Sequence, residues 1–259
     1  MPPVLTPLNT CVIADFDGTL IKKVVDGKRV ASLMSIMVQG EYVDKEVVAT
    51  ALQLLAHYYP IELDHTLSTQ ERAVFMEEWW EENYKAFKKY RLNIQSLHQL
   101  CDSPLLHLRD HLTEFLDFLH RQDVPLIIYS ASGIGHDAIR LVLEKNNVLT
   151  PNVRICSNQL VFDEDGYFVE VQRPIIHSAN KTGENLLKNN HLSQPPLRRQ
   201  CLLIGDSLDD MRMSEGIDFA EVIKVAFADE AAAPKFAELF DIVLPLEGGF
   251  KEIRELFEG

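Results

Sequence analysis

The chain alternates between two hydrophobic rhythms. Short, uninterrupted apolar runs occur at Cys11-Val12-Ile13-Ala14, Pro125-Leu126-Ile127-Ile128-Tyr129, Cys201-Leu202-Leu203-Ile204, Val222-Ile223-Lys224-Val225-Ala226 and Ile242-Val243-Leu244. Such runs are the pattern of parallel strands covered on both faces. Between the first and second run the rhythm is helical, as in Val47, Val48, Ala51, Leu54 and Leu55, and it predicts helices over 44–58, 69–90, 94–100 and 104–120. Ser68 followed by Glu71 reads as a capping box. Beyond residue 120 strands and helices alternate, with a helix over 136–145 and a hairpin over 160–171 that turns through Asp163-Glu164-Asp165-Gly166. Gln194-Pro195-Pro196 reads as a connector, and the runs at 222–226 and 242–244 as edge strands. The alternation predicts an α/β fold built on a doubly wound parallel sheet. One helical block interrupts it, so the expected division is a core of residues 1–22 and 104–259 with an inserted helical cap over 23–103.

The candidate chemistry sits at the ends of these runs. Asp15-Phe16-Asp17-Gly18-Thr19 follows the first strand directly, and ligands of open α/β sheets bind beyond the carboxyl ends of strands. Residues i and i+2 of an extended segment point to the same side, so Asp15 and Asp17 can converge on one phosphate and its metal. One carboxylate can attack while the other shuttles protons. A plain strand-to-loop turn uses the same residue types. A second cluster, Gly205-Asp206-Ser207-Leu208-Asp209-Asp210, repeats the arrangement and opens a helix expected near Met211. Magnesium takes oxygen ligands from one or two carboxylates, phosphate and water; Asp15, Asp206 and the backbone carbonyl of Asp17 suit it. For Asp209, favourable placement at a helix N-terminus is the simpler reading. Ser130-Ala131-Ser132-Gly133 ends the second strand, where a hydroxyl and free N–H groups can hold phosphate oxygens. Ser132 suits a helix cap. Lys181 can neutralise a transferring phosphoryl group, or serve as a surface charge.

Taken in order, Asp-x-Asp, Ser, Lys and Gly-Asp-x-x-x-Asp resemble the four motifs of the haloacid dehalogenase-like (HAD-like) phosphohydrolases. Inside the helical block, Tyr59-Pro60-Ile61-Glu62-Leu63-Asp64, Leu67-Ser68 and Phe75-Met76-Glu77-Glu78-Trp79-Trp80 resemble the cap signature of the cytosolic 5'-nucleotidase III (pyrimidine 5'-nucleotidase) family. The resemblance implies a HAD-like core and a Mg2+-dependent enzyme that dephosphorylates nucleoside 5'-monophosphates, typically CMP and UMP, or 7-methyl-GMP in one branch. It makes Asp15 the nucleophile, Asp17 the general acid and base, and Asp206 a metal ligand, with Asp210 in support. Ser130, Ala131 and Lys181 become the phosphate cradle. Glu78 would contact the base, and Trp79 and Trp80 can stack on it. Aromatics on a helix that also carries Phe75, Tyr84 and Phe87 serve equally as core. Adjacent helical residues lie about 100° apart, so one tryptophan can face each way. Gly18 stands where the family often carries a bulkier residue, Ser132 is an apparent insertion, Arg72-Ala73-Val74 replaces a basic, variable and proline-containing link, and Asp209 replaces a glycine. Other readings of the same residues are a phosphatase for phosphoserine or a sugar phosphate, a phosphotransferase, and a binding protein on the same scaffold.

Composition narrows the partners. A net charge of −14 opposes binding to nucleic-acid polymers, which needs a basic surface; a metal and Lys181 can still create a local positive site for a small phosphate ester. No apolar run approaches the roughly 20 residues of a membrane span, and the opening Met1-Pro2-Pro3-Val4-Leu5-Thr6-Pro7 has no leader pattern. A cytoplasmic location is therefore expected. Four cysteines lack metal-ligand spacing and are expected as buried thiols, Cys11 and Cys201 near one another if their strands are neighbours.

Overall fold

The computed structural model describes residues 5–64, 66–188 and 196–258. In chain order the strands are β1 (Thr10–Ala14), β2 (Val24–Val25), β3 (Lys28–Arg29), β4 (Leu126–Tyr129), β5 (Val153–Cys156), β6 (Leu160–Phe162), β7 (Phe168–Val171), β8 (Gln200–Gly205), β9 (Glu221–Ala228) and β10 (Ile242–Pro245). The helices are α1 (Leu33–Gln39), α2 (Lys45–Glu62), α3 (Thr69–Lys89), α4 (Ile94–Cys101), α5 (Leu112–Arg121), α6 (Gly135–Lys145), α7 (Gly183–Lys188), α8 (Ala233–Phe236) and α9 (Lys251–Glu255).

Six strands form one parallel sheet in the order β10-β9-β8-β1-β4-β5. Its two faces follow from side-chain alternation along each strand. Val12, Ala14, Leu126, Ile128, Leu202 and Ile204 face one core, with the buried sides of α5, α6 and α9. Cys11, Ile13, Ile127, Tyr129, Cys201 and Leu203 face the other, with Leu186 of α7 and Phe236 of α8. The sheet is therefore wound on both faces, as its apolar runs predict. From β1 the chain steps outward to β4 and β5, then crosses back to β8, β9 and β10. That reversal puts a crevice at the carboxyl ends of β1, β4 and β8. Cys11 and Cys201 are register partners, and all four cysteines are buried and outside any disulfide.

Helices α1 to α4 stand between β1 and β4. Leu33, Ile36 and Met37 of α1, Tyr84 and Phe87 of α3, and Leu97 and Leu100 of α4 share the first core with α5 and α6. The far end of the block, where α2 packs on α3, has a small cluster of its own, Tyr58, Met76 and Ala179. Ser68 caps α3 through the reciprocal bonds to Glu71 that its sequence predicts.

Several expectations need correction. The helix expected over 104–120 begins only at Leu112. Residues before it form a strap instead: Leu108 bridges Ile21, Arg109 N–H donates to Leu20 O at 2.9 Å, and His111 turns the chain at φ 60°. Helix α2 continues through Pro60 to Glu62. The helix expected near Met211 is a 3₁₀ run over Leu208–Ser214 that already includes Asp209 and Asp210. Strand β9 lies inside the sheet, and only β10 of that pair is an edge. Helix α1 and the β2–β3 hairpin were not expected. In the connector, Gln194 and Pro195 lie outside the described residues. No helix among the described residues is long and apolar enough to cross a membrane.

Candidate active site

Parallel pairing of β1 with β8 brings the two aspartate clusters together. Ala14 is in register with Ile204, and Asp15 N–H donates to Ile204 O at 2.9 Å, so Asp15 and Asp206 emerge side by side. Asp15 is only 7 % exposed. Gly205 lets the next turn fold back closely: a Cβ there would lie 2.4 Å from that of Asp210. Asp210 then caps its own turn, its Oδ2 accepting from the N–H groups of Asp206 and Ser207 at 3.0 and 2.9 Å.

Lys181 joins the clusters from beneath. It follows the 3₁₀ turn Ser178–Asn180 and is 5 % exposed. Its ammonium donates to Asp15 Oδ1, and to Asp210 Oδ1 at 2.8 Å. Burial opposes the charge, but Asp15 and Asp210 overcome it and hold its pKa above the ordinary lysine value. Asp15 itself is pushed well up by burial, against the pull of Lys181 and with the push of Asp210, Asp206 and Asp17. Burial likewise raises Asp206, with Lys23 pulling the other way through a direct ion pair.

Asp17 is set apart from that pair. Its Oδ1 accepts from Leu33 N–H at 2.8 Å, which ties it to the start of α1. Burial raises its pKa to about 7, the Leu33 bond offsets part of this, and Asp206 adds to it. A carboxyl with such a pKa can both give and take a proton near neutrality. Gly18 follows at φ 74°, and a Cβ on it would lie 2.3 Å from Asp206 Oδ2. The missing side chain is thus what lets the Asp206 carboxylate lie over the loop.

The β4 turn faces these groups. Ser130 is buried, its N–H bonded to Cys156 O and its hydroxyl accepting from Ser132 N–H at 3.1 Å. Ala131 is partly buried beside it. Asn158 fixes the turn from behind through Ser132 O and both backbone groups of Ile176. The Ser132 hydroxyl interacts with Asp17 and favours its charged form.

Helix α3 covers the turn with aromatic rings. Trp80 lies directly against Gly133, where a Cβ would come within 2.0 Å of the indole. The Tyr84 hydroxyl donates to Gly133 O at 3.0 Å. Rings stack in a ladder, Tyr58 on Trp79 at 5.9 Å, Trp79 on Trp80 at 6.1 Å and Trp80 on Tyr84 at 6.0 Å. Trp80 belongs to the main core and Trp79 to the small cluster with Tyr58. Glu78 is exposed and interacts with the Tyr58 hydroxyl.

The structure therefore gathers Asp15, Asp17, Asp206, Asp210, Ser130 and Lys181 at one rim and brings Trp80 to its edge, while Glu78 and Trp79 lie further along α3. Three residues escaped sequence reasoning. Lys23 pairs with Asp206, and Arg72 with Asp209. Arg109 donates to the carbonyls of Gly18, Thr19, Leu246 and Gly248, its guanidinium 3.7 Å above the Phe227 ring.

Carboxylate oxygens of Asp15, Asp206 and Asp210 can all lie within 4.8 Å of one another. That donor set is hard, anionic and short of counter-charge, which suits a divalent cation with oxygen ligands. Both Asp210 oxygens already accept hydrogen bonds, so Asp210 is better placed to organise Lys181 and the turn than to bind the ion.

A family profile for pyrimidine 5'-nucleotidase (UMPH-1) matches residues 18–258. The 7-methylguanosine phosphate-specific 5'-nucleotidase of Gallus gallus is 31 % identical over 237 residues, 90 % of this chain and 81 % of that protein. The crystal structure of cytosolic 5'-nucleotidase IIIB bound to cytidine superposes with a TM-score of 0.86 at 29 % identity, covering 98 % of this chain and 86 % of the other. A phosphoserine phosphohydrolase-like protein from Francisella tularensis shares the fold at a TM-score of 0.61 and 16 % identity, covering 95 % and 99 % of the two chains.

Proposed function

The chain belongs to the pyrimidine 5'-nucleotidase (UMPH-1) family and is a 5'-nucleotidase on a HAD-like fold, and from that premise we propose how its residues divide the work. The substrate is a nucleoside 5'-monophosphate, either 7-methyl-GMP or a pyrimidine nucleotide such as CMP or UMP. The Asp15 carboxylate attacks phosphorus and forms an aspartyl-phosphate as the bond to the nucleoside oxygen breaks. Asp17 gives its proton to that oxygen, then takes one from the water that hydrolyses the intermediate. Lys181 and the Ser130 and Ala131 turn hold the phosphoryl oxygens. Asp15, Asp206 and the Asp17 carbonyl would hold Mg2+, which supplies charge neutralisation to the phosphoryl group when bound.

The observation that carries this reading is the convergence of a strand-end carboxylate, Asp15, with a buried ammonium, Lys181, beside a second carboxyl, Asp17, whose pKa is raised to about 7. Residues 23–103 act as a cap that excludes water and reads the base through Glu78 and the aromatic ladder. The protein works in the cytoplasm. Phosphate release from 7-methyl-GMP, CMP, UMP, AMP, phosphoserine and a sugar phosphate, with Mg2+ and with EDTA, tests the reading. Metal-dependent preference for one of the first three is expected; preference for either of the last two would overturn the base-reading role of the cap.

A further inference from the structure

Asp209, where the sequence departs from the family pattern, meets Arg72, the basic residue of the 72–74 link, in space. Arg72 Nη1 donates to Asp209 Oδ2 at 3.0 Å and Nη2 to Asp209 Oδ1 at 3.3 Å, the paired geometry in which guanidinium and carboxylate bind most strongly. The same Nη1 donates to Glu62 O at 3.1 Å, in the last turn of α2. Arg72 is 5 % exposed. One buried guanidinium thus joins the end of α2, the start of α3 and the turn that carries Asp206 and Asp210. Beside it the Glu62 carboxyl is raised by burial and partly relieved by the Ser178 hydroxyl.

The two ends of α3 are anchored in different ways. At the C-terminal end Tyr84 and Phe87 each pack on Phe168 of β7 at 5.9 Å, and Phe168 N–H donates to Leu92 O at 2.8 Å. Those contacts are apolar and continuous with the main core. Toward the N-terminal end the contacts are a small cluster around Tyr58, Met76 and Ala179, the pairs of Glu77 with Arg173 and His177 and of Glu81 with Arg173, and the Arg72 pair. A small apolar cluster gives a weak hold, whereas a part-buried bidentate pair adds charge-assisted bonds and is costly when half made. Of these ion pairs Arg72–Asp209 is the one shielded from water on both sides, and it has two discrete states, made and broken.

We propose that the Arg72–Asp209 pair is the clasp of the helical insert. Made, it holds the α2–α3 end down on the carboxylate turn; broken, it lets that end lift about the apolar anchor at β7 and admit a phosphate ester. The clasp rests on the reading of residues 23–103 as a cap, and Arg72 is in it a positioning residue that acts through Asp209. A glycine at 209 would leave Arg72 without a carboxylate to answer it.

Trp79 and Trp80 are the chain's two tryptophans and both ride on α3, so acrylamide quenching of their fluorescence reads the lift without any substrate. The full-length protein is compared with Asp209→Asn, Asp209→Gly, Arg72→Asp and the double swap Arg72→Asp/Asp209→Arg, with circular dichroism to show that each is folded. Loss of the charge-assisted bonds should shift the closed-to-open ratio about tenfold or more. Quenching should rise roughly twofold in the single variants and return toward wild type in the swap. With 7-methyl-GMP or CMP, KM should rise several-fold while kcat stays within about twofold. Unchanged quenching in Asp209→Asn and Asp209→Gly, or a swap no better protected than its singles, overturns the clasp. Should Arg72→Asp not fold, the two Asp209 variants decide. A quenching change in a protein that releases phosphate from no ester would overturn the enzymatic reading and leave the clasp standing.

Discussion

Lys181 touches Asp15 and Asp210 at once, and this fixes what each substitution at the rim should do. Asp15→Asn keeps the shape and most of the hydrogen bond but has no nucleophilic oxygen anion. Turnover should fall about 10³-fold or more, with thermal stability unchanged or raised, because burial already disfavours the Asp15 charge and Asp210 still pairs with Lys181. Phosphate release near the wild-type rate would sink the covalent mechanism. Gly18 offers a second residue-scale test. Its φ of 74° and the 2.3 Å approach of Asp206 leave no room for a side chain. Gly18→Ala should cost roughly 1 kcal/mol in left-handed backbone strain alone and push Asp206 toward Lys23. Isothermal titration should then show Mg2+ binding weakened about tenfold, a loss of roughly 1.4 kcal/mol; wild-type affinity would show that Asp206 has another position from which to bind the ion.

At the scale of elements, α3 does three jobs along one face. Arg72 meets the carboxylate turn, Trp80 and Tyr84 meet the β4 turn, and Phe87 enters the main core. Tyr84→Phe removes the donor to Gly133 O and leaves a buried carbonyl unpaired, which should cost about 1–3 kcal/mol in thermal or urea unfolding. No change would mean that stacking alone holds α3 on the turn. Glu78→Ala should lower kcat/KM for the preferred nucleotide more than for p-nitrophenyl phosphate. Equal losses on both would assign Glu78 to its partner Tyr58 and to the packing of α2 on α3. Most of this architecture was legible in sequence because buried parallel strands are apolar runs, and Asp15, Asp206, Ser130 and Lys181 directly follow strands or short turns. The β2–β3 hairpin was also signalled, by Asp26-Gly27 at φ 49° and 73°, the pair such a turn favours, but its strands of two residues each are too short to show a period. The strap before α5 was hidden for another reason. Its apolar residues Leu105, Leu106 and Leu108 keep a helical rhythm, and only pairing with Ile21, distant in sequence, overrides it. Pairs such as Arg72 with Asp209 are separated by 137 positions, so no local pattern can announce them.

For the whole molecule the governing quantity is unbalanced negative charge. The chain carries −14, and at the rim four carboxylates, Asp15, Asp17, Asp206 and Asp210, share the ammonium groups of Lys23 and Lys181. Burial raises the pKa of Asp15, Asp17 and Asp206, so folding the metal-free protein works against their ionisation. A cation bound only by the folded state adds stability by mass action, about 2.7 kcal/mol at a hundredfold excess over Kd. In a chain of this size each kcal/mol raises Tm by roughly 2–4 °C, so saturating Mg2+ should raise Tm by roughly 5–10 °C over EDTA. Overall screening of the acidic surface would also stabilise the fold, and a sodium chloride control at equal ionic strength separates the two. A site effect saturates with Mg2+, exceeds the salt control and is lost in Asp206→Asn, which keeps the fold but not the ligand charge. If sodium chloride matches magnesium, or Asp206→Asn responds like the wild type, the stabilisation belongs to the surface charge and the strand-end carboxylates do not bind the ion.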